Sequence, residues 1–124
     1  NYRGKLWTRA EAYEAMSMLC QYVDVCIANE EDAKDIFGIE AKNTDIYSGK
    51  LDKNGYKLVG RQLKEQFCFE KVAITLRKSI SASDNDWAGM LYDGTDFYFS
   101  KEYHLHIIDR VGGGDSFAAG LIYS

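Results

Sequence analysis

The run DRVGGGDSFAAG, Asp109 to Gly120, decides how the rest of the chain is read. Three consecutive glycines, Gly112, Gly113 and Gly114, stand between a strand-like segment (residues 103–108) and an apolar helix-like run (117–123). Glycine backbones reach conformations closed to other residues, so such a loop can turn its N–H groups toward an anion. A helix starting near Asp115 would add unpaired amides and the positive end of its dipole. Together these make a cradle for a phosphate or an oxyanion, although a bare glycine triplet can equally be a close-packed turn. Asp115 is the discriminating residue. A carboxylate beside an anion site is electrostatically awkward unless it acts, and its natural action is to take a proton from an attacking hydroxyl while the loop amides hold developing charge. Capping the helix is the other role open to it.

Outward from this loop the chain alternates helix and strand. Thr8 followed by Glu11 forms a capping box, and Ala12, Ala15, Met16 and Leu19 recur at helical spacing, which predicts a helix over 9–20. Residues 23–28 read as a buried strand ending at Asn29, an N-cap residue followed by Glu30, Glu31 and Asp32 in the first turn of a helix that stops at Gly38. The segment 43–55 is polar and includes the turn pair Asn54-Gly55; Leu58, Leu63 and Phe67 then mark an amphipathic helix. A buried strand at 72–76, a loop at 79–86, and strands at 87–92 and 97–99 around an Asp93-Gly94 turn lead to the strand at 103–108. This order is α/β with a partly parallel sheet, and ligands of such sheets bind at the carboxyl ends of the strands.

Composition narrows the class. The 124 residues carry 15 basic and 19 acidic side chains, a net charge of −4, with 46% hydrophobic residues. That is the size and balance of one globular domain, with no basic stripe for nucleic acid. No apolar run approaches the roughly 18 residues of a membrane span, which points to a cytoplasmic protein without a membrane partner. Cys20, Cys26 and Cys68 form no CxxC pair and read as reduced core thiols. His104 and His106 alternate with Leu105 and Ile107 rather than adopting helical ligand spacing. The chain opens on Asn1 instead of Met and closes on an apolar run, so a piece of a longer protein is expected. Pro is absent, for which nothing in the sequence offers a reason.

Three other glycine motifs fit poorly. A Walker loop needs Lys-Ser or Lys-Thr where Asp115-Ser116 stands, and a dinucleotide fingerprint needs Gly or Ala where Phe117 stands. An esterase of the Gly-Asp-Ser-Leu class would use Ser116 as nucleophile, but both histidines precede it.

Asp109, Gly112, Gly114, Asp115, Phe117 and Gly120 share one spacing that resembles the C-terminal signature of the ribokinase-like sugar kinases of the phosphofructokinase B type, with Arg110 and Gly113 departing from its usual Thr and Ala. Asn29-Glu30-Glu31-Asp32 is similar to the Asn-x-x-Glu motif of that family, with Asp for the final Glu, and the strand 72–77 resembles one whose end contacts nucleotide phosphates. The opening NYRGKLW is similar to a segment of the 2-keto-3-deoxygluconate kinases of the family, in which the Arg lies near the acid sugar.

The resemblance implies a ribokinase-like three-layer α/β/α fold with a mostly parallel sheet, of which residues 1–124 would be an incomplete C-terminal, nucleotide-binding and catalytic portion. It implies ATP and Mg²⁺ as cofactors and a sugar or sugar acid as substrate, phosphorylated on a primary hydroxyl, with a homo-oligomer expected of the full-length protein. By the same resemblance Asp115 would be the catalytic base, with Gly112, Gly113 and Gly114 as the anion hole. Arg3, Asn1 and Asp115 would face the acceptor. Asn29, Thr75, Arg77, Gly112 and Gly114 would bind the nucleotide, and Glu31 and Asp32 the metal. A binding module that keeps the fold without the chemistry is the alternative, disfavoured by the presence of both Asp115 and the acidic Asn29 motif.

Overall fold

A computed structural model describes residues 3–40, 53–109 and 111–124. Asn1, Arg110 and most of the polar segment expected at 43–55 lie outside the described residues. The elements are α1 (Arg9–Cys20), β1 (Val25–Asn29), α2 (Glu30–Phe37), α3 (Lys53–Phe67), β2 (Lys71–Ser79), β3 (Asp84–Tyr92), β4 (Phe97–Phe99), β5 (Tyr103–His106) and α4 (Gly113–Tyr123).

The caps expected from sequence are present. Glu11 N–H donates to Thr8 Oγ1 at 3.3 Å while Glu11 Oε2 accepts from Thr8 N–H at 2.8 Å. Gly38 ends α2 in the left-handed conformation, φ 66°. Cys68 also takes a left-handed φ of 58°, with its N–H on the Lys64 carbonyl, and so turns the chain from α3 toward β2. It is exposed, so one of the three expected core thiols lies outside the core. Burial pushes the Cys26 thiol up to about 12, aided by Cys20 and Asp32, which leaves almost no thiolate at neutral pH.

β1 and β2 are parallel; β3 runs antiparallel to β2, β4 and β5. The mostly parallel character expected of the sheet is therefore not carried by the described strands, because the β3–β5 ribbon returns through short antiparallel connections. Strand alternation sorts the side chains cleanly. Val72, Ile74, Leu76 and Met90 share one face and are buried together with Tyr56, Val59, Leu63 and Phe67 of α3. Asn29, Thr75, Arg77, Trp87 and Gly89 occupy the opposite face. α4 lies on that second face, where Phe117 meets Gly89. The architecture is thus helix, sheet, helix.

The strand expected to be buried at 23–28 forms as β1 but leaves Val25 and Ile27 exposed. Two further expectations fail for identifiable reasons. Asn54-Gly55 does not form a turn: both residues lie inside α3, where Gly55 is buried. A few residues on, Gly60 brings α3 close to the sheet, since a Cβ there would stand 3.0 Å from Met90 Cε. The loop expected at 79–86 is half strand, with Ser79 paired to Asn85 and the turn confined to residues 80–83 between β2 and β3. Its polar side chains suggested a loop, but Asn85 is fully buried and accepts a hydrogen bond from Ser79 Oγ at 3.1 Å. The Asp93-Gly94 turn is present as a longer loop, Asp93 Oδ1 accepting from the N–H groups of Thr95 and Asp96.

β5 is held to β3 by two cross-strand pairs, His104 Nδ1 to Asp86 Oδ1 at 2.6 Å and His106 Nδ1 to Asp84 Oδ1 at 2.8 Å. The hydrogen bond from His106, with a second from Ser81, holds the Asp84 carboxyl below the usual carboxylate range. A depressed folded-state value means that the pairing stabilises the ribbon above the ordinary carboxylate range and is lost as pH falls through the lowered value. In a carboxyl-carbon NMR titration Asp84 should therefore titrate below a reference Asp, and His106→Ala should move it back upward. An unmoved Asp84 in that variant would remove His106 as the cause.

Candidate functional site

The carboxyl ends of β1 and β2 and the N-terminus of α4 converge on a cavity of about 570 Å³. Asn29, Glu30 and Glu31 line it from the β1–α2 junction, Thr75 and Arg77 from β2, and Gly113, Gly114, Ser116 and Phe117 from α4. Trp87, Leu105, Ile107 and Asp109 complete its wall.

Each wall is built locally. Asn29 closes a reciprocal capping box: its Oδ1 accepts Asp32 N–H at 2.7 Å, and Asp32 Oδ2 accepts Asn29 N–H at 3.4 Å. The Asp32 carboxylate is thereby turned back onto its own helix and is not part of the cavity wall. Glu31 faces Arg77 instead, at 3.7 Å between Oε1 and Nη2. Glu30 accepts a hydrogen bond from the buried Tyr56 hydroxyl. Burial and the Glu30 carboxylate both raise the Tyr56 hydroxyl's pKa, so it stays a proton donor at neutral pH. One α3 side chain therefore holds the first residue of α2.

On the opposite wall Gly112 is the N-cap of α4, in the left-handed conformation at φ 82°. The helix accordingly begins at Gly113, so the N-cap role considered for Asp115 falls to Gly112. Asp115 sits in the first turn, exposed. Asp109 Oδ1 accepts Val111 N–H at 2.9 Å and shapes the approach to the loop. Among the described residues, nothing outside its own helix turn lies within 4 Å of the position a Gly114 Cβ would take, so that side of Gly114 faces open space. First-turn amides of an eleven-residue helix facing a cavity that also holds a guanidinium make a set of donors suited to phosphate oxygens.

The predicted residues are thus divided. Asn29, Glu31, Thr75, Arg77, Gly113 and Gly114 meet at one cavity; Gly112 and Asp115 flank it in sequence, and Asp32 and the exposed Arg3 are not among its lining residues. Asn1 lies outside the described residues. Trp87, Leu105 and Ile107 were not singled out from sequence, although strand alternation places Trp87 on the face of Arg77. Ser116 Oγ donates to the Gly112 carbonyl at 2.9 Å, and both His rings are engaged by Asp84 and Asp86 outside the cavity lining. Ser116 therefore has no histidine base among the described residues. Nor do the described residues hold a cluster of three or more His, Cys, Asp or Glu fit for a metal ion. No described helix is long and apolar enough to cross a membrane.

No protein-family model matches the chain. Among solved structures it is similar to 2-dehydro-3-deoxygluconokinase from Thermotoga maritima, with a TM-score of 0.84 and 43% identity over 99% of this chain and 35% of that one. It is also similar to a PfkB family carbohydrate kinase from Listeria grayi, with a TM-score of 0.75 and 32% identity over 99% of this chain and 35% of that one. A curated relative, 2-dehydro-3-deoxygalactonokinase from Haloferax volcanii, is 26% identical over 122 residues, 98% of this chain and 32% of the relative. The chain spans about a third of the length of these relatives. It resembles the PfkB, ribokinase-like carbohydrate kinases along nearly its whole length and shares their α/β fold.

Proposed function

We propose that residues 1–124 are the partial nucleotide-binding and catalytic domain of a longer cytoplasmic sugar kinase, which transfers the γ-phosphoryl group of ATP to a primary hydroxyl of a sugar acid, 2-keto-3-deoxygluconate being the favoured acceptor. The observation that carries the reading is the cavity lined both by Thr75 and Arg77, from the middle and C-terminal half of β2, and by Gly113 and Gly114 at the start of α4. Transfer of a phosphoryl group asks a protein mainly for positioning and charge stabilisation. This cavity offers both.

In this mechanism the amides of Gly113, Gly114 and Asp115 receive the oxygens of the transferred group, Gly112 supplying the left-handed turn that aims them. Arg77 and Thr75 hold the nucleotide phosphates, and Asn29 fixes the α2 N-terminus beside them. Asp115 accepts the proton released by the attacking hydroxyl. By the same resemblance Arg3 would serve the acceptor side, where a guanidinium fork suits the carboxylate of an acid sugar. Glu31, with Glu30 beside it, is the carboxylate available to Mg²⁺, and Asp32 would reach it only by leaving its capping box. With so few protein carboxylates, the ion's remaining ligands would be nucleotide oxygens and water, and when bound it would offset the charge of the polyphosphate.

The reading is tested by ADP release from the full-length protein against a panel of 2-keto-3-deoxy sugar acids, other sugar acids and neutral sugars. Turnover with sugar acids, one phosphorylated product per ADP, is the expected result. No ADP release above background with any acceptor would reject it.

A further inference from the structure

α4 carries no buried residue, yet it bears the amides on which the proposed chemistry depends. What positions it is visible in two contacts with β3. A Cβ on Gly89 would lie 3.0 Å from Phe117 Cε2 and 3.4 Å from Cζ, so the Phe117 ring rests directly on the Gly89 backbone. One residue pair further along the same face, a Cβ on Gly113 would stand 3.6 Å from Trp87 Cη2 and 3.9 Å from Cζ2, so the indole lies beneath the first residue of the helix. Trp87 and Gly89 are register partners of Arg77 and Thr75. The strand that carries Thr75 and Arg77 is therefore bonded to the strand on which the start of α4 rests.

We infer that Gly89 and Phe117, together with Trp87, set the height of the α4 N-terminus above the sheet and so are positioning residues for the anion-binding amides opposite Thr75 and Arg77. Trp87 supplies a flat floor under Gly113, and the missing side chain at Gly89 lets Phe117 come down far enough to keep it there. A methyl group at Gly89 must lift Phe117 by a few tenths of an ångström, and two more carbons must lift it further. Because the helix turns as one body over its first turns, the shift reaches Gly113 and Gly114. The functional part of this inference rests on the kinase reading, whereas the geometric part does not.

The test is a cycle in the full-length protein comprising Gly89→Ala, Gly89→Val, Phe117→Leu and the Gly89→Ala/Phe117→Leu double variant. Expected are a kcat lowered about fivefold in Gly89→Ala and more than about tenfold in Gly89→Val, with the KM for the sugar within about twofold of wild type. Phe117→Leu added to Gly89→Ala frees the space that the methyl needs and should return most of the turnover lost per folded molecule, the thermal midpoint of each variant being measured beside it so that a loss of stability is scored separately. In parallel, the ¹⁹F resonance of 5-fluorotryptophan at Trp87, assigned with Trp87→Phe, should shift in Gly89→Ala and return in the double variant. Turnover within twofold of wild type in both Gly89 variants, or a double variant no faster than Gly89→Ala, overturns the inference. If the wild-type protein releases no ADP, the kinase reading fails, and the ¹⁹F cycle alone decides whether these residues position the loop.

Discussion

Asp115→Asn in the full-length protein should lower kcat by at least ~10²-fold while the affinity for nucleotide changes by less than about threefold. Asn preserves the shape of the side chain and its place in the first turn of α4, so the helix start at Gly113 and the left-handed Gly112 are left as they are. What it removes is the capacity to take up a proton. The amides of Gly113 and Gly114, with Arg77, remain to hold phosphate oxygens, which is why binding should survive where turnover does not. Steady-state kinetics beside a titration with a non-hydrolysable nucleotide separates the two quantities. A variant with near-normal kcat would take the base away from Asp115, and one that lost nucleotide affinity in proportion would make the carboxylate a binding group. The thermal midpoint serves as control and should stay within a degree or two of wild type, because Asp115 is exposed.

The same helix start shows how far the sequence could be read. A glycine triplet between an alternating segment and an apolar run predicts a strand, a glycine turn and a helix, and those elements are present in that order. Capping chemistry was equally legible at Thr8, Asn29 and Gly38, because it depends on residues within a few positions of one another. Asp32 marks the limit of such reading. The spacing that made it resemble a metal-site carboxylate is also the spacing of a capping box, and only the hydrogen bond to Asn29 N–H shows where the side chain is directed. Trp87 and Tyr56 were beyond reach for a different reason. Their roles depend on which strands and helices become neighbours, and no local pattern encodes that Trp87 would lie under Gly113 or that Tyr56 would reach Glu30. The antiparallel ribbon is legible as a ribbon, but the full extent of β2 and β3 is not, because the buried Asn85 reads as a loop residue in any hydropathy pattern.

Phe69→Ala should produce the largest loss of stability, about 3–5 kcal/mol, without altering the chemistry of the molecules that remain folded. The ring is wholly buried and heads the largest fully buried side chains. It sits 5.5 Å from the Phe67 ring, which lies 4.5 Å from Phe37, so one aromatic chain joins the end of α2, the end of α3 and the entry to β2. Deleting it removes burial from the middle of the helix layer and leaves a cavity that the left-handed turn at Cys68 gives little freedom to close. A loss of that size is a large part of the roughly 5–15 kcal/mol that holds an ordinary protein together, so the thermal midpoint should fall by several degrees and the soluble yield with it. Phe69 is not a lining residue of the cavity, and its layer lies on the far face of the sheet from Thr75 and Arg77. Activity normalised to folded protein should accordingly stay within about twofold of wild type below the melting range. Asp115→Asn and Phe69→Ala thus form a pair with opposite signatures, one losing kcat at constant midpoint and the other losing midpoint at constant kcat. A Phe69→Ala protein that melts within a degree of wild type would mean that the aromatic chain is not the core that joins the three elements. One that melts normally but turns over slowly would mean that the two faces of the sheet are coupled more tightly than their packing suggests.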